Sequence, residues 1–344
     1  NMKAMKIKRI SLLVLIVLIG GCKPSSKQQL VKNKATGNAL GTTYSITYLD
    51  GQERSFQKEI DSIFAVFNQS LSTYLPDSDI SRINYGDSTV VVDQMFRDVF
   101  FQSQVINYET DGYFDPTVGV LVEAWGFGAG KPLKKLDNAI IDSLMQYVGW
   151  MKIGLTSDYR IEKANPNVRF DFNAIAKGYA IDRIARMLDK KGIDNYLVEV
   201  GCEIVANGRN VLASKPWTIG IDNPLDLINR GSAAIVQLTE KALASSGNYR
   251  KFRIDEATGE KYVQTIDPKT GYTINSKVLA VTVIADSCIQ ADGYATAFMA
   301  MDLEDSKKLL QSKAKELEAF IIYVGDDGKT KNYSTPGFDA LLVK

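Results

Sequence analysis

Asp292 and Thr296 stand four residues apart in Ala291-Asp292-Gly293-Tyr294-Ala295-Thr296-Ala297-Phe298-Met299, a segment of helical composition. That spacing puts a carboxylate and a hydroxyl on one helix face, one turn apart. Such a pair can hold a hard cation of the Mg²⁺ type and leave positions open for water and a phosphate. It can also be a helix-start Asp with a Thr bonding back to a carbonyl, and from the pair alone that plainer reading is the stronger. A second candidate, Asp171-Phe172-Asn173-Ala174-Ile175-Ala176-Lys177-Gly178-Tyr179-Ala180, runs from a strand into a helix start. Backbone groups are free at such a junction and Lys177 can reach an anion there; a capped helix with a solvated lysine fits equally well. A third, Gly126-Phe127-Gly128-Ala129-Gly130-Lys131, fails as a phosphate loop, because Pro132 follows the lysine and the glycine spacing is not that of a dinucleotide fingerprint. It reads as a flexible turn.

What the chain lacks narrows the chemistry further. None of its 344 residues is histidine. Ser-His-Asp hydrolysis, Cys-His proteolysis, His-ligated zinc and His phosphotransfer are thereby excluded. Catalysis must run on carboxylates, hydroxyls, lysines, backbone dipoles or an oxygen-ligated metal. With 41 Lys+Arg against 40 Asp+Glu, the net charge of +1 provides no basic excess to displace phosphate counterions, so no nucleic-acid partner is expected. An apolar fraction of 45% is enough for a sizeable core.

The first residues read as an address. Lys3, Lys6, Lys8 and Arg9 precede a largely apolar run over 10–19, interrupted only by Ser11, then Gly20-Gly21-Cys22. About ten apolar residues are too few to span a bilayer but suit an export signal. Ile-Gly-Gly-Cys resembles a bacterial lipobox, with cleavage before Cys22 and lipidation of its sulfur. This predicts a signal peptide over 1–21, a lipidated Cys22 with a flexible polar tether over 22–37, and a folded domain over 38–344. The expected location is membrane-anchored on the periplasmic side. Cys202 and Cys288 have no CxxC spacing, so no redox motif is supported, and two buried thiols are expected rather than a disulfide.

The elements that must position the candidates follow from periodicity. Residues 41–48 alternate and are β-branched, a strand. Helical spacing of apolar residues predicts helices over 54–70, 93–108 and 174–190. Strands are expected over 195–200, 217–222, 233–238 and 278–285, helices over 289–301 and 304–317, and a last strand over 319–324. Interleaving without regular βα units predicts an α+β fold.

Six segments in order resemble the ApbE family of flavin transferases, also called FAD:protein FMN transferases. They are Ser72-Thr73-Tyr74-Leu75-Pro76-Asp77-Ser78-Asp79-Ile80-Ser81-Arg82, Gly112-Tyr113-Phe114-Asp115-Pro116-Thr117-Val118-Gly119 with Trp125-Gly126-Phe127-Gly128, the Asp171–Ala180 run, Ala244-Ser245-Ser246-Gly247-Asn248-Tyr249, Ile266-Asp267-Pro268-Lys269-Thr270-Gly271, and 291–296. Together they span about residues 40–300. The resemblance implies two subdomains, with mixed sheets and flanking helices around a flavin-binding cleft. It implies Mg²⁺ on Asp292, Thr296 and the backbone oxygen of Ala174, and FAD against Leu40, Tyr74, Tyr113, Phe114, Asp115, Asp171, Lys177, Thr265 and Ile266. The implied reaction is attack by an acceptor Thr or Ser hydroxyl on the FMN phosphorus of FAD, releasing AMP. Implied acceptors are Rnf- and Nqr-type redox subunits with a short Asp-x-[Ser/Thr]-Gly-[Ala/Ser]-Thr motif. Some family members hydrolyse FAD to FMN and AMP instead, and a non-catalytic FAD-binding lipoprotein is a third reading.

Three departures from the family pattern stand out. Gln264 occupies the place of a common histidine, so deprotonation falls to a carboxylate such as Asp292 or to metal-bound water. Cys202 replaces a glycine in Gly201-Cys202-Glu203. Ala295 stands where some relatives carry a second acid beside the metal-binding Thr.

Overall fold

The computed structural model describes residues 29–133, 136–226, 231–249, 252–254, 259, 261–274, 276–313 and 316–343. The chain opens with a hairpin, β1 (Val31–Ala39) and β2 (Thr42–Asp50), and continues through α1 (Gln57–Leu71), α2 (Asp79–Asn84), α3 (Gln94–Glu109), α4 (Gly119–Trp125) and α5 (Asn138–Met145). Short strands β3 (Ile153–Leu155) and β4 (Ile161–Lys163) precede α6 (Ala176–Lys190), β5 (Asn195–Val200), β6 (Glu203–Asn207), β7 (Trp217–Asp222), β8 (Ser232–Leu238) and β9 (Lys241–Gly247). Then come β10 (Phe252–Ile254), β11 (Lys261–Val263), β12 (Val278–Ala285), α7 (Cys288–Ala300), α8 (Leu303–Ser312), β13 (Glu318–Val324), β14 (Thr330–Ser334) and α9 (Pro336–Ala340).

Eight strands form one sheet in the order β1-β2-β5-β6-β9-β12-β13-β14. Its ladders are antiparallel, and an isolated bridge joins Val118 to Arg169 in the parallel sense. The fold is α+β, as the interleaved pattern predicts. The central strand β12 is buried on both faces because each side of the sheet is covered. Val281, Val283 and Ala285 pack in the core that includes α7, while Ala280 and Ile284 pack with Trp217, Ile219, Val236 and Leu238 of the β7–β8 hairpin. Helix α7 carries apolar residues all round and is buried accordingly, between the sheet and helices α3 and α6.

The structure departs from the sequence reading at both ends of the folded domain. Residues 31–37, expected as tether, belong to strand β1, which pairs with β2 along its full length. Its polar composition hid it: an edge strand needs little apolar surface, and only Ala35 is buried. Strand β13 is not the last element, since β14 and α9 follow it, and α8 stops at Ser312 rather than 317. Cys202 and Cys288 are both thiols, the first half-buried and the second buried. No helix of the described residues is long and apolar enough to cross a membrane. Cys22 and the address segment lie outside the described residues.

Candidate functional site

Helices α6 and α7 pack at unusually close range, and this sets the floor of the site. A Cβ on Gly178 would sit 2.3 Å from the carbonyl oxygen of Cys288, so only glycine permits the approach. At this contact the Gly178 backbone N–H donates to Asp292 Oδ2 at 3.0 Å. One turn away, Asp182 of α6 accepts the backbone N–H groups of Cys288 and Ile289, at 2.8 and 2.9 Å, and so satisfies two orphan donors at the start of α7. The two helices are therefore fixed in register. Thr296, on the Asp292 face of α7, donates from Oγ1 to the backbone oxygen of Ala174 at 3.3 Å.

These groups open into a cavity of about 900 Å³, the upper end of the range for small-molecule sites. Asp292, Thr296, Ala174 and Lys177 line it from the floor. Leu40 enters from the β1–β2 turn, where it takes a positive φ of 52° beside Gly41. Tyr113, Phe114 and Asp115 line it from the α3–α4 connection, Asp171 from the run before α6, and Thr265 and Ile266 from the loop after β11. Tyr74, about half exposed, lines the mouth, and its hydroxyl reaches the backbone oxygen of Phe127 at 3.5 Å. Every site residue expected from the sequence within the described region thus borders one space.

Their side chains are not equally available. Asp115 already accepts from the Thr117 backbone and hydroxyl, at 2.8 and 2.7 Å, and from the Trp150 backbone at 3.0 Å. Burial nonetheless pushes its carboxyl up. It braces the wall, and Phe114 beside it is buried in the core. Asp171 accepts the Asn173 backbone N–H at 2.7 Å, and Thr265 donates to Asn248 Oδ1 at 2.7 Å.

The electrostatics centre on three buried or half-buried charges. Lys177 Nζ lies 2.6 Å from Glu203 Oε1, and the glutamate side chain is only 3% exposed. Burial works against the lysine's charge, but Glu203 and Asp292 outweigh it and hold the lysine above its usual value. Asp292 is pushed up to about 8, first by burial and then by the Glu203 charge, with Lys177 and the Gly178 N–H pulling the other way. The Glu203 charge so near Asp292 favours its protonated form, so a cation brought to this site would displace that proton.

The residues present fit a hard divalent ion. Asp292, Thr296 and the Ala174 carbonyl provide a carboxylate, a hydroxyl and a peptide oxygen, the donor types such an ion prefers. Among the described residues no three His, Cys, Asp or Glu side chains converge as a metal cage. An ion here would complete its shell from water and phosphate oxygens, as Mg²⁺ commonly does.

Glu203 is a site residue that the sequence reading did not include. It was visible only as the end of Gly201-Cys202-Glu203, and nothing in that run shows that β6 lies beside α6 and delivers the carboxylate to Lys177. Gln264 and Cys202 both line the cavity, whereas Ala295 is fully buried in the main core and does not.

A family model described as the ApbE family matches residues 40–321. An FAD:protein FMN transferase from Haemophilus influenzae is 34% identical over 305 residues, covering 85% of this chain and 87% of the relative. One from Vibrio cholerae is 33% identical over 337 residues, covering 96% and 97%. The solved structure of the flavin transferase ApbE from Vibrio cholerae aligns with a TM-score of 0.81 at 33% identity, covering 91% of this chain and all of that one. The apo flavinyl transferase ApbE of Pseudomonas stutzeri aligns at 0.79 and 30%, covering 91% and 97%. With a matched family model over most of its length, and relatives above 30% identity across nearly all of it, this chain belongs to the ApbE family.

Proposed function

We propose that the chain is an FAD:protein FMN transferase that moves FMN from FAD to a Thr or Ser hydroxyl of an acceptor protein, with release of AMP. The observation that carries this reading is the convergence of Asp292, Thr296, the Ala174 carbonyl and the Lys177–Glu203 pair on one cavity with Tyr74, Tyr113 and Phe114. Aromatic walls suit the two flat ring systems of a flavin dinucleotide, and the polar floor suits its diphosphate.

In the proposed reaction an O–P bond forms from the acceptor hydroxyl to the FMN phosphorus. The bridging P–O bond breaks, and its electron pair leaves on AMP. A Mg²⁺ ion held by Ala174, Asp292 and Thr296 would supply charge neutralisation for the diphosphate. Lys177, fixed by Glu203, adds a positive charge beside it. The hydroxyl proton needs an acceptor, and with no histidine in the chain we assign that role to a carboxylate, Asp292. Leu40, Asp115, Asp171, Thr265 and Ile266 complete the dinucleotide contacts. Within this reading Cys22 carries the lipid that holds the enzyme at the membrane, on the periplasmic side. The acceptors are Rnf- or Nqr-type subunits.

Gln264 in place of a histidine keeps two further outcomes open to the same test. The full chain is incubated with FAD, Mg²⁺ and a purified acceptor carrying the hydroxyl motif, and covalent flavin and AMP are measured. Flavin on the acceptor supports transfer. AMP without acceptor identifies an FAD pyrophosphatase, and FAD recovered intact from folded, FAD-bound protein identifies a storage protein; either overturns the proposal.

A further inference from the structure

The wall that carries Tyr113 is held from outside the cavity. Tyr113 follows two consecutive left-handed residues, Asp111 (φ 50°) and Gly112 (φ 78°). Such a turn is costly for a non-glycine residue, though aspartate tolerates it better than most. Lys269 meets this turn twice. Its Nζ lies 2.7 Å from Asp111 Oδ2 and 4.0 Å from the centroid of the Tyr113 ring. Tyr113 and Pro268 line the cavity and Lys269 does not, so the ammonium meets the ring from outside the cavity.

The lysine is itself on a fixed support. Its backbone N–H donates to Asp267 Oδ1 at 2.8 Å, and the Gly271 N–H donates to the Asp267 carbonyl at 2.8 Å, closing a tight turn. The Gly271 carbonyl accepts from Trp125 Nε1 at 2.9 Å, and Trp125, the last residue of α4, is buried in the small core that α4 shares with α5. Bracing thus runs from a buried tryptophan, through the Asp267–Gly271 turn and Lys269, to a ring that borders the cavity. No part of the proposed chemistry requires Lys269, and its side chain is 38% exposed.

We propose that Lys269 is a positioning residue for the flavin dinucleotide: it fixes the Tyr113 ring as a flat wall against one of the ligand's two ring systems. This rests on the FAD-binding reading above. An ammonium over a tyrosine face at a partly exposed site contributes modestly, so removing it should weaken FAD binding by about threefold to tenfold. Arginine stacks on aromatic rings and still pairs with a carboxylate, so it should substitute.

The test titrates FAD against the full-length wild type, Lys269→Ala and Lys269→Arg, following flavin fluorescence, and adds KM and kcat in the acceptor assay. The expected result is a higher Kd and KM for Lys269→Ala, kcat within about twofold at saturating FAD, and recovery in Lys269→Arg. Wild-type affinity in Lys269→Ala overturns the inference. So does an equal defect in Lys269→Arg, or a fall in kcat without a change in Kd. If the wild type binds no FAD, the functional proposal has failed instead, which the same titration reveals first.

Discussion

Replacing Gly178 by alanine tests whether the α6–α7 contact sets the position of Asp292. An added Cβ would lie 2.3 Å from the Cys288 carbonyl oxygen, 2.6 Å from its carbon and 2.9 Å from the Asp292 Cβ. Two of these three atoms are backbone, so no side-chain rotation relieves the clash; α7 must move by about 1 Å to restore ordinary contact. Alanine favours a helix interior over glycine by about 1 kcal/mol, whereas overpacking a close contact costs about 1–3 kcal/mol. The balance is a small net destabilisation, a few degrees in Tm. The effect on turnover should be larger. The displaced helix carries both Asp292 and Thr296, and the Gly178 N–H bond to Asp292 stretches with it. A misplacement of about 1 Å at reacting groups costs on the order of 100-fold. Thermal unfolding and kcat/KM at several Mg²⁺ concentrations would be measured for Gly178→Ala and for Gly154→Ala. Gly154 is a control because its added Cβ meets nothing within 4 Å. A folded Gly178→Ala with the turnover and Mg²⁺ dependence of wild type would refute the reasoning.

Two more predictions concern the buried charges. Asp292 is pushed up to about 8 in the folded protein, against about 4 when exposed. A group whose value rises on folding stabilises the fold while its proton stays on, and this contribution is lost as pH climbs through about 8. In chelator, Tm should therefore fall from about pH 5 to pH 8. Asp182, pushed up to about 6 by burial, adds to the lower part of that fall, whereas the part above about pH 6 belongs to Asp292. Asp292→Asn should remove the upper part, keep the fold and abolish turnover; parallel Tm profiles for the two proteins would rule out the assignment. Glu203→Gln leaves Lys177 facing Asp292 without its closest partner. Losing one member of a fully buried pair costs about 3–5 kcal/mol, but the Lys177 side chain is 33% exposed, so about 1–3 kcal/mol is expected from urea unfolding.

How much of this was legible beforehand depended on whether a feature is local. Strands β5, β7 and β12 fall where alternation and β-branching put them, and α3 and α7 are displaced by a single residue from the predicted 93–108 and 289–301. Each of those signals lies within one element. Strand β1 was missed because its stability comes from the β2 ladder rather than its own side chains, and α2 and β6 because six and five residues are too few to show a period. The donors of the site were legible as types, since a carboxylate and a hydroxyl four apart on a helix must share a face. Their surroundings were not. Glu203 comes to Lys177 across 26 positions and Gly178 to Asp292 across 114, distances over which spacing carries no information.

The composition of α7 itself bears on function. Its residues Cys288-Ile289-Gln290-Ala291-Asp292-Gly293-Tyr294-Ala295-Thr296-Ala297-Phe298-Met299-Ala300 have no polar stripe that could face water. A helix of that composition is buried on all sides, so a carboxylate within it cannot be an ordinary solvated one. Keeping such a group charged without a partner is costly, and a chain that retains it must pair it, protonate it or set it against a cation. In the fold Asp292 is 3% exposed, has one backbone donor and a lysine shared with Glu203, and borders the cavity. The fold also removes the plainer reading of the pair, since Asp292 is the fifth residue of α7 rather than its start and Thr296 bonds to Ala174 of another segment rather than back along its own helix.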